Sequence, residues 1–224
     1  MKKHLFWSLF ALLIIAAAPL KAATPLVDAA FIKAKIGAPN VVFLDVRGSP
    51  QAFRAGHIPG AVYTSYGADK WRIKMNDVPG MLPPVGNLEK LIGRLGIGNA
   101  DHVILVPGGY SSGEMGVATR IYWTFKVLGH DAVSILDGGM LAYAADRKNP
   151  MEKTFARRQP KPFKAHLRPE LIATASDGLL LRPEGGCLLS GWYQGGPELG
   201  TPRFVEDPRA LAFALVPDES EDLP

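Results

Sequence analysis

The stretch from His102 to Gly129 constrains the fold of this chain most. Val103, Ile104, Leu105 and Val106 form an apolar, largely β-branched run, followed by the polar glycine-rich segment Pro107-Gly-Gly-Tyr-Ser-Ser-Gly-Glu114. Positions Val117, Ile121, Thr124, Phe125 and Leu128 then recur at helical spacing. A strand that feeds a helix through a short loop places the loop at the carboxyl edge of a sheet, where open α/β folds hold their ligand sites. No Cys, His, Asp or Lys lies between Pro107 and Gly113. The loop therefore offers backbone amides and hydroxyls, but no strong nucleophile or base.

The same alternation recurs on both sides of this stretch. Val41 to Val46 is apolar without alternation, as expected of a strand buried on both faces of a parallel sheet, and Asp45 and Arg47 stand two residues apart at its end. Thr24-Pro25 predicts a capped helix start, with Val27, Ala30, Phe31 and Ala34 behind it and Gly37 as its stop. Ser49-Pro50 repeats that signature for a short helix closed by Gly56, and His57-Ile-Pro-Gly60 reads as a rigid turn before a brief strand at Ala61 to Tyr63. Ser65 to Pro84, with Trp71, Arg72 and Lys74, shows little periodicity and is expected to be a long surface loop. Asn87 can cap a helix carrying Leu88, Leu91, Ile92 and Leu95, which Gly96 stops. Ala132 to Leu136 is a further strand, and Asp137-Gly-Gly139 opens a last helix near Met140 to Ala145. Strands and helices alternating on this scale predict an α/β fold with a central parallel sheet flanked by helices.

The two ends of the chain read differently. Met1-Lys-Lys3, the apolar run from Leu5 to Ala18 and the exit Pro19-Leu-Lys-Ala-Ala23 have the layout of a secretory signal peptide over residues 1–22, with an uncleaved anchor as the alternative. An exported, periplasmic protein with no stable membrane span after cleavage is expected. Arg147 to Pro169 is basic and proline-rich and reads as a linker. Seven Gly and six Pro among the 47 residues from Gly178 onward predict a poorly ordered C-terminal tail in place of a regular second domain. A break in the reading frame near Gly178 would account for that abrupt change. The net charge of +4 includes Lys2 and Lys3, and no basic stripe is interleaved with aromatics, so nucleic-acid binding is not expected.

Three motifs in order carry a family resemblance. Val42-Phe-Leu-Asp-Val-Arg47 followed by Ala55-Gly-His-Ile-Pro-Gly-Ala61, then Val103 to Val106 with its loop, then Leu136-Asp-Gly-Gly139, resemble a rhodanese domain over roughly Pro25 to Ala145. Rhodaneses are the thiosulfate and 3-mercaptopyruvate sulfurtransferases. The Trp71-containing insertion and the basic linker further resemble the N-terminal half of the tandem two-domain members. The organisation that follows is a rhodanese-like domain at 24–146, a linker at 147–169, and the truncated or degenerate start of a second domain at 170–224. The resemblance implies sulfur transfer through a cysteine persulfide, with thiosulfate or another small sulfur anion as partner and no metal or cofactor. It also places the nucleophilic cysteine directly after the strand, where this chain has Pro107. Proline supplies no thiolate and removes an amide donor.

The remaining candidates have a structural and a functional reading each. Asp45 and Arg47 are expected to be a structural ion pair that anchors a turn, with substrate orientation as the alternative. His57, in its proline-locked turn, is expected to be structural. Gly108, Gly109, Tyr110, Ser111, Ser112 and Gly113 either cradle an anion at a helix start or simply connect two elements, and Glu114 would repel an anion there. Cys187 has no neighbouring cation and no helix start to lower its pKa, and reads as incidental. The functional alternatives are a sulfurtransferase-family protein inactive in this chain, a non-catalytic module that binds an anion or a protein partner, and a phosphatase sharing the fold, which needs the same missing cysteine.

Overall fold

The computed structural model describes residues 23–75, 77–155 and 157–172, together with three short strands further on. The leader at 1–22, Cys187 and most of the stretch beyond residue 172 lie outside the described residues, and so do the readings placed on them. Five parallel strands form the central sheet in the order β1 (Leu26–Val27), β7 (Val133–Leu136), β6 (His102–Val106), β2 (Val41–Asp45) and β3 (Val62–Tyr63). β2 and β6 run in register from Val41 opposite His102 to Asp45 opposite Val106. The carboxyl ends of the two central strands therefore share one edge, and Asp45 stands beside the start of the glycine-rich loop.

The missing alternation in these strands has a direct cause. Val42, Leu44, Val103 and Leu105 face one core with Leu88, Ile92, Ile121 and Phe125, supplied by α3 (Val85–Arg94) and α4 (Ser112–Val127). Phe43, Ile104 and Val106 face the other, with Ile32, Phe53 and Met140, from α1 (Ala29–Lys35), α2 (Pro50–Ala55) and α5 (Gly139–Ala145). Ile104 is fully buried, and truncating such a side chain to Ala costs about 2–5 kcal/mol.

Three expectations are corrected. Thr24-Pro25 does not start a helix. Pro25 and Val27 accept sheet hydrogen bonds from Ile135 and Asp137, so Leu26–Val27 becomes an edge strand, and Asp28 caps α1 by accepting from Phe31 N at 2.8 Å. Asn87 lies inside α3, which begins directly after Pro84. The stretch Ser65 to Pro84 contains a two-stranded antiparallel hairpin, β4 (Ile73–Met75) and β5 (Val78–Met81). Trp71 in that stretch belongs to the core: it is fully buried, donates from Nε1 to Thr64 Oγ1 at 2.9 Å and packs on Phe125. Arg72 donates to Trp71 O, Thr124 Oγ1 and Arg120 O, which fastens the hairpin to α4. Lys74 stays exposed and pairs with Asp77.

The basic segment after α5 lies along the domain. Lys161 N donates to Gly93 O, where a Cβ would approach Lys161 O to 2.6 Å, so only glycine admits the chain this closely. Phe163 is buried in the α3–α4 core, Lys161 Nζ holds both Asp101 oxygens at 2.8 Å, and His166 and Arg168 donate to the end of α4. Arg168 grips Asp131 at 2.9 and 2.5 Å, and Lys126 pairs with the same carboxylate. Beyond residue 172 three short segments, β8 (Leu188–Leu189), β9 (Pro202–Phe204) and β10 (Phe213–Leu215), pair antiparallel with β10 in the middle. Among the described residues, no helix is long and apolar enough to cross a membrane.

The hydrogen bonds from Arg168 and Lys126 hold the Asp131 carboxyl well below the usual carboxylate range. A carboxyl whose folded pKa lies below its unfolded value contributes stability above the unfolded pKa and loses it as pH falls through the folded one. Asp131→Asn should therefore destabilise the chain by about 1 kcal/mol near neutral pH, and the difference should begin to shrink as pH falls below about 4, the unfolded carboxylate value. Urea unfolding of both chains across that range checks this; a constant difference would contradict it.

Candidate active-site loop

The loop after β6 is held by backbone contacts. Pro107 O accepts from Met140 N at 2.8 Å and Gly108 O from Leu141 N at 2.9 Å, so the first turn of α5 spends its free amides on the loop. The two backbones approach so closely that side chains are excluded. Gly109 (φ 93°) would bring a Cβ to 2.2 Å from Gly138 O, and Gly139 (φ 61°) to 2.6 Å from Pro107 O. Leu136-Asp-Gly-Gly139 is thus the second half of the loop's own scaffold.

The interior of the loop is occupied by a carboxylate of the chain itself. Ser111 is the N-cap of α4 and accepts from Glu114 N, while Glu114 folds back and accepts from Tyr110 N at 2.8 Å. Its other oxygen lies over Gly108, 2.4 Å from where a Cβ would stand. This is close to a reciprocal capping box. An external anion would meet a negative charge and an amide already bonded. The Ser111-x-x-Glu114 spacing was the available signal for this, although it does not say that the carboxylate would fill the loop. Tyr110, Ser111, Ser112 and Gly113 are exposed at the crown, Pro107 and Gly108 are buried beneath it, and Tyr110 is 73% exposed.

Asp45 and Arg47 form a shielded pair at the adjoining strand end. Arg47 donates from Nε to both Asp45 oxygens at 3.1 and 2.9 Å and from Nη2 to Asp45 Oδ2 at 2.7 Å, and its Nη2 also reaches Gly56 O at 2.8 Å. The guanidinium thereby ties β2 to the turn that carries His57. The His57 ring is buried, stacks on Phe53 with centroids 3.8 Å apart, and Nδ1 lies 2.8 Å from Phe53 O. A carbonyl can only accept, so Nδ1 carries the proton. The backbone of His57 pairs with Glu152. The structure thus brings Asp45, Arg47 and His57 into one network beside the loop. Among the described residues no group of three or more His, Cys, Asp or Glu side chains could hold a metal ion.

The sequence profile of the Rhodanese-like domain family matches residues 28–146. Human 3-mercaptopyruvate sulfurtransferase is 32% identical over 155 residues, covering 68% of this chain and 46% of the relative. Bovine thiosulfate sulfurtransferase is 32% identical over 120 residues, covering 53% of this chain and 38% of the relative. The chain spans less than half the length of these relatives. The crystal structure of SseA from Escherichia coli, a 3-mercaptopyruvate sulfotransferase, superposes with a TM-score of 0.58 at 26% identity, over 70% of this chain and 61% of the other.

Gly139→Ala should destabilise the fold by at least about 2 kcal/mol, because it adds both positive-φ strain and a clash with Pro107 O. Gly113→Ala, whose nearest neighbour to the added methyl is Ser111 Oγ at 3.8 Å, should leave stability within about 0.5 kcal/mol. Urea denaturation of the two variants distinguishes them, and equal losses would remove the close-approach argument.

Proposed function

This chain belongs to the rhodanese family, and from that premise we propose that it is an exported sulfurtransferase-type protein whose described domain does not itself carry sulfur. In the family's reaction a loop thiolate attacks the outer sulfur of a donor such as thiosulfate, the donor's S–S bond breaks and sulfite leaves with the electron pair, and the loop amides stabilise the negative charge of the resulting persulfide. Here the position after β6 is Pro107, and the loop amide of Tyr110 is bonded to Glu114. That occupied loop carries the reading. A proline cannot accept sulfur, and the carboxylate stands where a transferred anion would need the amide. The substrate class proposed for the protein as a whole is a small sulfur anion, thiosulfate or a mercapto acid.

A second reading, a non-catalytic module that binds a protein partner, is supported by the exposed side chains of Tyr110 on the loop and Leu141 on α5. Aromatic side chains presented on a rigid loop are common anchors of protein interfaces. Export is supported by the basic start, apolar run and small-residue exit of the first 23 residues. The intact mass of the exported protein tests it, and a retained leader would defeat the cleavage reading.

Given thiosulfate or 3-mercaptopyruvate with cyanide, the purified chain should form no thiocyanate above the uncatalysed rate. Turnover that persists in Cys187→Ser would overturn the inactive-loop reading. Pro107→Cys supplies the missing thiol beside a carboxylate that disfavours the thiolate. Adding Glu114→Gln to it should raise the iodoacetamide alkylation rate at neutral pH several-fold, by lowering the thiol pKa by about one unit. Equal alkylation rates in the two variants would show that Glu114 does not act on the loop.

A further inference from the structure

A cavity of about 840 Å³ opens at the sheet edge, between β3, the end of α3, Phe155 and residues 157–160. It shares no residue with the Pro107–Gly113 loop or with Asp45, Arg47 and His57. Its apolar wall includes Val62, Leu95, Pro50 and Phe155. Phe155 is half exposed and rests edge-on against Phe53. A cavity of this size with an apolar wall and a few polar groups fits a small organic ligand.

The polar wall is positive. Arg94, Arg157 and Arg158 line it, and Asp69 is its one acid among the described residues. The Asp69 carboxylate is already committed: Oδ2 accepts from Thr64 Oγ1 at 2.8 Å and Ser65 N at 2.9 Å, and Oδ1 pairs with Arg94 at 3.2 Å. Among the described residues neither Arg157 nor Arg158 has a carboxylate partner, which leaves two guanidinium charges unmatched at the cavity. The Tyr63 side chain also lines it, and its hydroxyl is shielded from solvent, with the Ser65 side chain nearby but no hydrogen bond of normal length. An unpaired buried donor is costly, and an acceptor entering at this end would relieve that cost. Guanidinium groups suit planar oxyanions such as carboxylate and sulfonate, because their donors form a fixed fork.

We propose that this cavity binds small amphipathic acids, with an aryl or alkyl body against Val62, Leu95 and Phe155 and a carboxylate or sulfonate head on Arg157 and Arg158 within reach of the Tyr63 hydroxyl. The two halves of the site make separate demands. The apolar wall excludes bare inorganic anions as good ligands, and the unmatched arginines exclude neutral analogues of the same shape.

The test uses the full chain titrated with 3-phenylpropionate, with neutral 3-phenylpropanamide and with sulfate, followed by calorimetry and backbone amide NMR. 3-Phenylpropionate should saturate with a Kd below about 1 mM and shift the amides of Tyr63, Leu95 and Phe155. The amide and sulfate should each bind at least about tenfold more weakly. The double variant Arg157→Gln, Arg158→Gln should weaken 3-phenylpropionate about tenfold or more, and Tyr63→Phe several-fold, with the melting temperature of each unchanged within a few degrees. No saturation by about 10 mM, equal binding of the neutral amide, equal binding of sulfate, or wild-type affinity in the arginine variant would each overturn the proposal.

Discussion

The contact on which this structure depends is the meeting of two backbones at the carboxyl edge of the sheet. Pro107 to Gly109, leaving β6, lies against Gly138 and Gly139, entering α5, with carbonyl and amide hydrogen bonds across the seam. Because no Cβ fits between them, the start of the loop is positioned by main-chain contacts that do not rely on a side chain substitution could remove. The shape of the loop is then independent of whether it carries a nucleophile. Pro107 can stand at the start of the loop and leave the surrounding architecture intact, since the scaffold uses only its carbonyl.

The interior of that loop has to hold something, because amides of an α-helix start and a tight turn converge there. Glu114 fills it. A carboxylate seated on Tyr110 N satisfies a donor that would otherwise need water or a bound anion, and it complements the positive end of α4. The same charge that stabilises the turn works against external anions and against thiolate formation. A few ångströms of sequence-local folding thus close the loop on a carboxylate of its own helix. The Asp45–Arg47 pair reinforces the arrangement from the adjoining strand: shielded, multiply hydrogen-bonded and tied to Gly56 O, it holds the His57 turn against the sheet edge.

The segment after α5 gives the domain a second, more peripheral set of fastenings. Phe163 enters the core, Lys161 neutralises Asp101, and Arg168 with Lys126 neutralises Asp131. These ion pairs are partly exposed and individually modest. Their effect is to fix the path of a basic, proline-rich chain across α3 and α4. That path also brings Phe155, Arg157 and Arg158 to the edge strand β3 and forms one wall of the cavity there.

Much of this was legible in the sequence because its signals act within a few residues. Apolar runs without alternation identified β2, β6 and β7. Ser49-Pro50, Gly37 and Gly96 marked helix ends, and the strand–loop–helix order placed the glycine-rich loop at the sheet edge. The ordered motifs around Asp45, His57 and Gly138 carried the family. Tertiary structure alone decided the rest. Thr24-Pro25 lost its helix because β7 offered Leu26–Val27 a strand partner more than a hundred residues away. Trp71 became core because Thr64 and Phe125 surround it. A basic linker became a fastened strap because its partners are Asp101 and Asp131. Local propensity selects among conformations that differ by about 1 kcal/mol per residue. Burial of a tryptophan or pairing of a strand edge outweighs that, and neither can be read until the distant residue that completes it is in place.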